Sequence, residues 1–296
     1  MPNFIRRHLL RAATALPLAW LLRAEAKPTS DPLFTQRLAA LESQFSGRLG
    51  VFAFRANSEA SLAHRSTERF PMCSTAKLLM VGAVLHRSER DAALMDRRID
   101  YTADSLVTYS PITEQHVGAG MTVRDLCAAT ITYSDNTAAN LLMRLLGKPA
   151  AVTAFARSIG DRKFRLDRWE TALNSAIPGD ERDTTTPEAM AHTLHRLVLG
   201  NALGAAQRTQ LQDWLRGNTT GATRIRAGVP AGWTVGDKTG TGAYGSTNDI
   251  GIVWPPSGAP IIVAIYTTQQ IENAPSRVDI VAAAASIVAE WAAGLG

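Results

Sequence analysis

Residues 234–267 read TVGDKTGTGAYGSTNDIGIVWPPSGAPIIVAIYT. Three runs stand out: Thr234 to Lys238, Asp249 to Trp254 and Ile261 to Thr267. Each is short, rich in β-branched residues and separated from the next by Gly or Pro, the pattern of strands joined by turns. A matching pattern lies near the other end of the chain. Leu49 to Phe54 is apolar and β-prone, and Asn57-Ser58-Glu59 offers a turn into a strand at Ser61 to His64. A helix flanks each group. Asp31-Pro32, followed by Leu33, Phe34, Arg37, Leu38, Leu41 and Phe45, predicts a capped amphipathic helix ending near Gly47. Val278 to Trp291 is Ala-rich and periodic, which predicts a second.

The middle of the chain is helix-rich. Thr122-Val123-Arg124-Asp125 resembles a capping box opening a helix towards Thr132. Thr137 to Leu146 is apolar and closes on Gly147. Pro149 suits the first position of another helix, and Thr186-Pro187-Glu188 starts one that runs to about Leu199. One solution joins the two ends into a sheet covered by the terminal helices and leaves the middle as a helical lobe. Residues 27–65 with 217–296 then form an α/β lobe, and 66–216 an all-helical one. Active sites often sit between such lobes.

The bulk numbers fit a folded domain. Of 296 residues, 46% are hydrophobic and 19% charged, enough for real cores and unlike a disordered or repetitive chain. The N-terminus differs from the rest. Arg6, Arg7 and Arg11 precede or open the apolar stretch Ala12 to Leu22, and Ala24-Glu25-Ala26 offers a small-residue cleavage site. This layout predicts a secretory signal peptide, residues 1–26, and a periplasmic or secreted mature chain. Arg6-Arg7 also fits a twin-arginine export signal. Removing the four arginines and one glutamate of that leader lowers the formal charge from +5 to +2. No dense Lys/Arg patch remains, so nucleic acid binding is not expected. The two cysteines, Cys73 and Cys127, read as free buried thiols, because a cross-link at Cys73 would have to fit tight geometry.

Four short motifs follow one another: Ser74-Thr75-Ala76-Lys77, Ser134-Asp135-Asn136, Glu170-Thr171-Ala172-Leu173-Asn174 and Lys238-Thr239-Gly240. Ser-x-x-Lys alone says little, since about one is expected by chance in such a chain. Ser-Asp-Asn and Lys-Thr-Gly are each expected fewer than roughly 0.1 times. Their ordered company carries the weight. If Leu78 to Leu85 is helical, Ser74 and Lys77 share one face of its start. A serine hydroxyl is a poor nucleophile until a base takes its proton, and a lysine buried among other groups can be that base. Ser134-Asp135-Asn136 lies between two helices and is rich in capping residues. Lys238-Thr239-Gly240 ends a predicted strand. There Gly240 lets a substrate approach the backbone, and Lys238, Thr239 and Thr241 can bind a carboxylate.

From about Asp31 to Trp291 the chain resembles the class A serine β-lactamases. The first, second and fourth motifs belong to the signature of β-lactamases and penicillin-binding proteins. Tyr109-Ser110-Pro111-Ile112-Thr113-Glu114, Met121 to Leu142, Arg168-Trp169-Glu170 to Asp183 and Trp233 to Gly242 extend the likeness. It implies an α/β (α+β) fold: a five-stranded antiparallel sheet flanked by N- and C-terminal helices, with an inserted all-helical lobe that carries an omega loop at 165–183. It also implies catalytic roles for Ser74, Lys77, Ser134, Glu170 and Asn174. Asn136, Lys238, Thr239, Gly240, Thr241, Tyr109 and Arg224 would bind substrate. The backbone N–H groups of Ser74 and Thr241 would form the oxyanion hole. Arg168 and Asp183 would brace the loop. Whether Lys77 or Glu170 takes the Ser74 proton is left open. Thr247 stands where many members carry arginine, so Arg224, in preference to Arg277, would compensate.

Two family disulfides lack a partner cysteine here, because Gly242 and Val81 occupy the positions that would pair with Cys73 and Cys127. Efficient carbapenem hydrolysis is therefore less expected than hydrolysis of penicillins and cephalosporins. The mature chain is expected to be a monomer needing no cofactor or metal, with a small-molecule β-lactam as its partner and no membrane attachment. A penicillin-binding DD-peptidase or a non-hydrolytic β-lactam sensor would share the serine and lysine motifs. Glu170 with Asn174 is the feature that separates a hydrolase from both.

Overall fold

A computed structural model describes residues 31–295 of the chain; the leader read at 1–26 lies outside them. Five strands make one antiparallel sheet: β1 (Gly47–Arg55), β2 (Ser61–His64), β7 (Thr234–Thr241), β8 (Thr247–Trp254) and β9 (Ile261–Gln269), in the order β2-β1-β9-β8-β7. Each neighbouring pair in that order runs antiparallel. Between β2 and β7, four short strands form two minor pairings, β3 (Phe70–Pro71) with β6 (Thr184–Thr185) and β4 (Arg98–Ile99) with β5 (Met121–Thr122).

The sheet is covered on both faces, and β9 shows how the sequence encodes this. Ile261, Val263 and Ile265 belong to one core, and Ile262, Ala264 and Tyr266 to the other. Successive side chains of a strand point to opposite faces, so an unbroken apolar run is what a strand buried on both sides requires. The first core packs against α1 (Pro32–Glu42), the one-turn α8 (Ile225–Gly228) and α9 (Val278–Ala293). The second packs against α6 (Pro187–Val198) and the helical body behind it.

That body contains α2 (Lys77–Ser88), α3 (Val123–Thr132), α4 (Asn136–Leu146), α5 (Pro149–Ser158) and α7 (Ala205–Arg216). Helix α2 sits at its centre, with every residue from Lys77 to Leu85 buried. The caps follow the sequence signals. Asp31 Oδ1 accepts from Leu33 N at the start of α1, Thr122 from Asp125 N at α3 and Thr186 from Ala189 N at α6. Gly147 ends α4 with a φ of 120°, a backbone conformation that disfavours a side chain.

Three local readings need correction. The strand expected to stop at Lys238 runs to Thr241, because its partner β8 begins at Thr247 and pairs with it to the end. Thr239 and Gly240 are therefore in-register strand residues, not the entry to a turn. Ser74 lies in a 3-10 turn, Cys73–Ala76, and the α-helix proper starts at Lys77. Helix α7 was not foreseen: its sequence AAQRTQLQDWLR buries only Leu211 and Leu215, too few apolar positions for a clear helical period.

Candidate active site

The start of α2, the loop before α4, the omega loop and strand β7 converge on one cleft of about 350 Å³. It is lined by Ser74, Tyr109, Ser134, Asn136, Asn174 and Arg224, with Thr220 and the Thr239-Gly240-Thr241 edge closing one side. Larger hollows exist, about 470 Å³ beneath residues 176–182 and about 540 Å³ beside Trp169 and Arg144, but neither sets a nucleophile beside a base. Chemistry, not volume, selects the cleft.

Lys77 is fully buried and bonds three of the residues that line the cleft. Its Nζ donates to Ser74 Oγ at 3.0 Å, to Ser134 O at 2.8 Å and to Asn136 Oδ1 at 2.5 Å. Glu170 Oε1 lies 3.1 Å from the same nitrogen. That oxygen has no well-angled hydrogen bond, so the contact is chiefly a meeting of charges. Burial pushes the Lys77 amine below the ordinary lysine value, and the Glu170 charge opposes part of that shift. Lys238, also fully buried, approaches from β7 and donates to Ser134 Oγ at 3.0 Å. Burial and the nearby Lys77 charge push the Lys238 amine well below its usual value. Ser134 Oγ thus lies between two lysines, with Lys77 Nζ at 3.3 Å.

The backbone around the cleft is unusual. Cys73, Tyr109 and Ser134 have φ of 48°, 65° and 59°, in the left-handed region that side chains rarely adopt. Such conformations cost about 1–3 kcal/mol each and persist only where the surroundings hold them. Asp135 does much of the holding. It caps α4 through Ala138 N at 2.8 Å, and its other oxygen accepts from Ile112 N at 3.0 Å and Thr113 N at 2.9 Å. The Tyr109 segment is thereby tied to the first turn of α4, where Asn136 N donates to Tyr109 O at 3.0 Å.

The omega loop is held at its base and again at Glu170. Asp183 Oδ2 accepts from Arg168 Nε, while Oδ1 accepts from Asp167 N at 2.7 Å and Arg168 N at 3.0 Å. Beyond the base, Asn140 of α4 takes both backbone groups of Glu170. Glu170 N donates to Asn140 Oδ1 at 3.0 Å, and Asn140 Nδ2 donates to Glu170 O at 2.9 Å. The Glu170–Thr171 peptide bond is cis. Asn174 Nδ2 then donates to Glu170 Oε2 at 2.7 Å. The Asn140 clamp escaped the sequence reading. Its signal is an asparagine one helical turn after Asn136 on a mostly apolar helix.

Two arginines are the sequence candidates for binding a substrate carboxylate. Arg224 is buried and lines it, donating to Gly240 O, Asn248 O and Thr241 Oγ1. Arg277 pairs with Asp279 at 2.7 Å and is absent from the cleft lining. Thr247 is fully buried, its hydroxyl bonded to Gly245 O. Both cysteines are free and buried. A Cβ on Gly242 would come within 2.6 Å of Cys73 Sγ, so the glycine is required by close packing.

A serine hydroxyl within reach of a buried amine, with a second carboxylate–amide pair over it, defines a serine hydrolase that works by acyl transfer. Comparison with known proteins narrows the class. Residues 33–292 match the β-lactamase enzyme family. The chain is 52% identical over 285 residues to β-lactamase OXY-1 of Klebsiella oxytoca, covering 96% of this chain and 97% of that one. It is 50% identical over 291 residues to β-lactamase Toho-1 of Escherichia coli, covering 97% and 98%. A crystal structure of a β-lactamase from Desulfarculus baarsii superimposes with a TM-score of 0.87 at 57% identity, over 88% of this chain and 97% of that one. The chain belongs to the β-lactamase family, as a class A serine enzyme that hydrolyses β-lactams.

Proposed function

We propose that the chain opens the lactam ring of penicillins and cephalosporins through an acyl-enzyme on Ser74, which a water activated by Glu170 then clears. The Ser74 proton passes to the buried Lys77–Glu170 pair as Oγ bonds to the lactam carbonyl carbon. Backbone N–H groups of Ser74 and Thr241 receive the developing oxyanion, a contact worth about 3–4 kcal/mol of barrier per donor. When the carbon–nitrogen bond breaks, Ser134 gives its proton to the lactam nitrogen and regains one from Lys77. In the second half, Glu170 takes a proton from water, the hydroxide attacks the ester carbonyl, and Ser74 leaves with a proton returned through Lys77.

One observation carries the hydrolytic half. Asn174 Oδ1 is a buried acceptor with no hydrogen-bond partner among the described residues, and Glu170 Oε1, also buried, meets only the Lys77 amine, at 3.1 Å and poorly angled. Buried acceptors are normally satisfied, and a water held between these two would supply both bonds. Lys238, Thr239, Thr241 and Arg224 bind the substrate carboxylate in this reading. Asn136 meets the side-chain amide, and Tyr109 walls the cleft.

The leader at 1–26 directs the chain to the periplasm, where it acts as a monomer. The α/β lobe, 27–65 with 217–296, and the helical lobe, 66–216, bring their residues together at the cleft. Among the described residues no helix is long and apolar enough to cross a membrane. The deciding measurement is turnover of a chromogenic cephalosporin. Many product equivalents per enzyme are expected. A single equivalent followed by a stable adduct would instead favour the DD-peptidase or sensor reading.

A further inference from the structure

Arg224 brings a positive charge into the cleft with no carboxylate hydrogen-bonded to it among the described residues. Its three guanidinium partners, Gly240 O at 2.8 Å, Asn248 O at 2.6 Å and Thr241 Oγ1 at 2.6 Å, are all neutral acceptors. Its backbone leads directly into α8, which starts at Ile225. The first N–H groups of a helix have no acceptor within it and must find one elsewhere. Arg224 offers no side-chain cap. The Ile225 N–H is taken instead by Asp249 Oδ2, at 3.0 Å, from the neighbouring strand β8. There Asp249 pairs across the sheet with Thr239. One carboxyl therefore links the residue after Arg224 to the strand bearing the Lys-Thr-Gly motif.

The state of Asp249 is informative. It is fully buried, and its second oxygen, Oδ1, has no hydrogen-bond partner. Burial and the nearby Asp237 charge push its carboxyl well above the usual carboxylate range. Asp237 is partnered differently, by Arg226 Nε at 2.6 Å and Asn218 Nδ2 at 2.6 Å. Burial thus favours the uncharged form of Asp249, a form that would still hold the Ile225 N–H and leave the Arg224 charge for an anion.

Resting on the assignment of Arg224 to the substrate carboxylate, we infer that Asp249 is a positioning residue for that contact: its carboxyl pins the Ile225 N–H and so sets where the guanidinium meets the substrate. Asp249 touches no substrate. An acceptor at this place is what matters, and its charge is not required.

A double-mutant cycle with benzylpenicillin and its methyl ester tests this. Arg224→Ala is expected to raise KM for benzylpenicillin about tenfold with little change in kcat. Asp249→Ala is expected to reproduce most of that rise, yet to add less than about twofold in the Arg224→Ala background, since coupled residues are non-additive. Asp249→Asn keeps an uncharged acceptor and is expected to stay within about twofold of wild type. KM for the ester should hardly move in any variant. Asp249→Leu, which fills the volume without an acceptor, replaces the alanine variant if that one does not fold. Effects that multiply in the double variant would overturn the inference. So would an asparagine variant as impaired as Arg224→Ala, or a lowered Tm with an unchanged KM. If Arg224→Ala raises KM and the Asp249 variants do not, Asp249 alone loses its role. If Arg224→Ala leaves KM unchanged, the carboxylate assignment falls and takes the inference with it.

Discussion

Lys77 Nζ and Glu170 Oε1 meet at 3.1 Å, with both side chains sealed from solvent. Neither charge is cheap to bury alone, and each is tolerable because the other is there. The same nitrogen touches Ser74 Oγ, so one buried pair connects the proposed nucleophile to the group proposed to activate water.

Removing the carboxylate separates the two half-reactions. In Glu170→Ala the acyl-enzyme should still form but clear slowly, with steady-state kcat lower by about 10²–10⁴, the usual worth of a positioned base. Intact-protein mass spectrometry should then show a penicilloyl adduct on Ser74. Penicillin turnover at the wild-type rate would remove Glu170 from the mechanism.

The second lysine predicts a pH effect. Because burial and the Lys77 charge lower the Lys238 pKa, its cation is lost as pH rises through a value below that of a free lysine, about 10.4. Over the same window the unfolded chain binds more protons than the folded one, so stability should rise with pH. Carboxylate binding should do the opposite: kcat/KM for benzylpenicillin should fall on the alkaline side before pH 10, about the free-lysine range, mainly through KM. In Lys238→Arg the guanidinium stays charged and the limb should move upward. A limb that stays in place in that variant would detach it from Lys238.

At the base of the omega loop, Asp183 satisfies two backbone N–H groups and one guanidinium. Asp183→Ala should cost about 2–3 kcal/mol, from leaving buried donors unpaired. For a domain of this size that corresponds to a Tm lower by about 5–10 °C. Asp183→Asn keeps an acceptor and should lose less. Because Glu170 rides on the loop, kcat should fall in the alanine variant even below its new Tm. Unchanged melting in Asp183→Ala would show that the Arg168–Asp183 contact does not hold the loop.

The thiols provide a test of packing. Burial raises the Cys73 pKa to about 12, and it raises that of Cys127 as well. A buried thiol with a raised pKa has almost no thiolate at neutral pH and is inert. Iodoacetamide should label neither cysteine in the native chain and both after unfolding in denaturant. Rapid native labelling of Cys73 would mean that the wall behind Ser74 is open.

Much of the fold was legible because it is written in local pattern. The apolar run at 261–266, the capping residues Asp31, Thr122 and Thr186, and Gly147 each specify a local conformation independent of the rest of the chain. Helix α7 was illegible for the same reason, since its two buried leucines acquire meaning only against the helices they pack on. The end of β7 was misjudged because a strand's length depends on how far its partner extends, and β8 is the partner.

The serine, lysines and glutamate of the cleft were legible as types and order in the sequence, together with their resemblance to one enzyme class. What the tertiary structure alone decided is how they meet. Asn140 gripping the Glu170 backbone, Asp135 holding the Tyr109 segment, and Asp249 reaching the Ile225 N–H are contacts between residues far apart in the chain. No local propensity encodes such a contact. It exists only once packing has removed water from both groups and left each as the other's best hydrogen-bond partner.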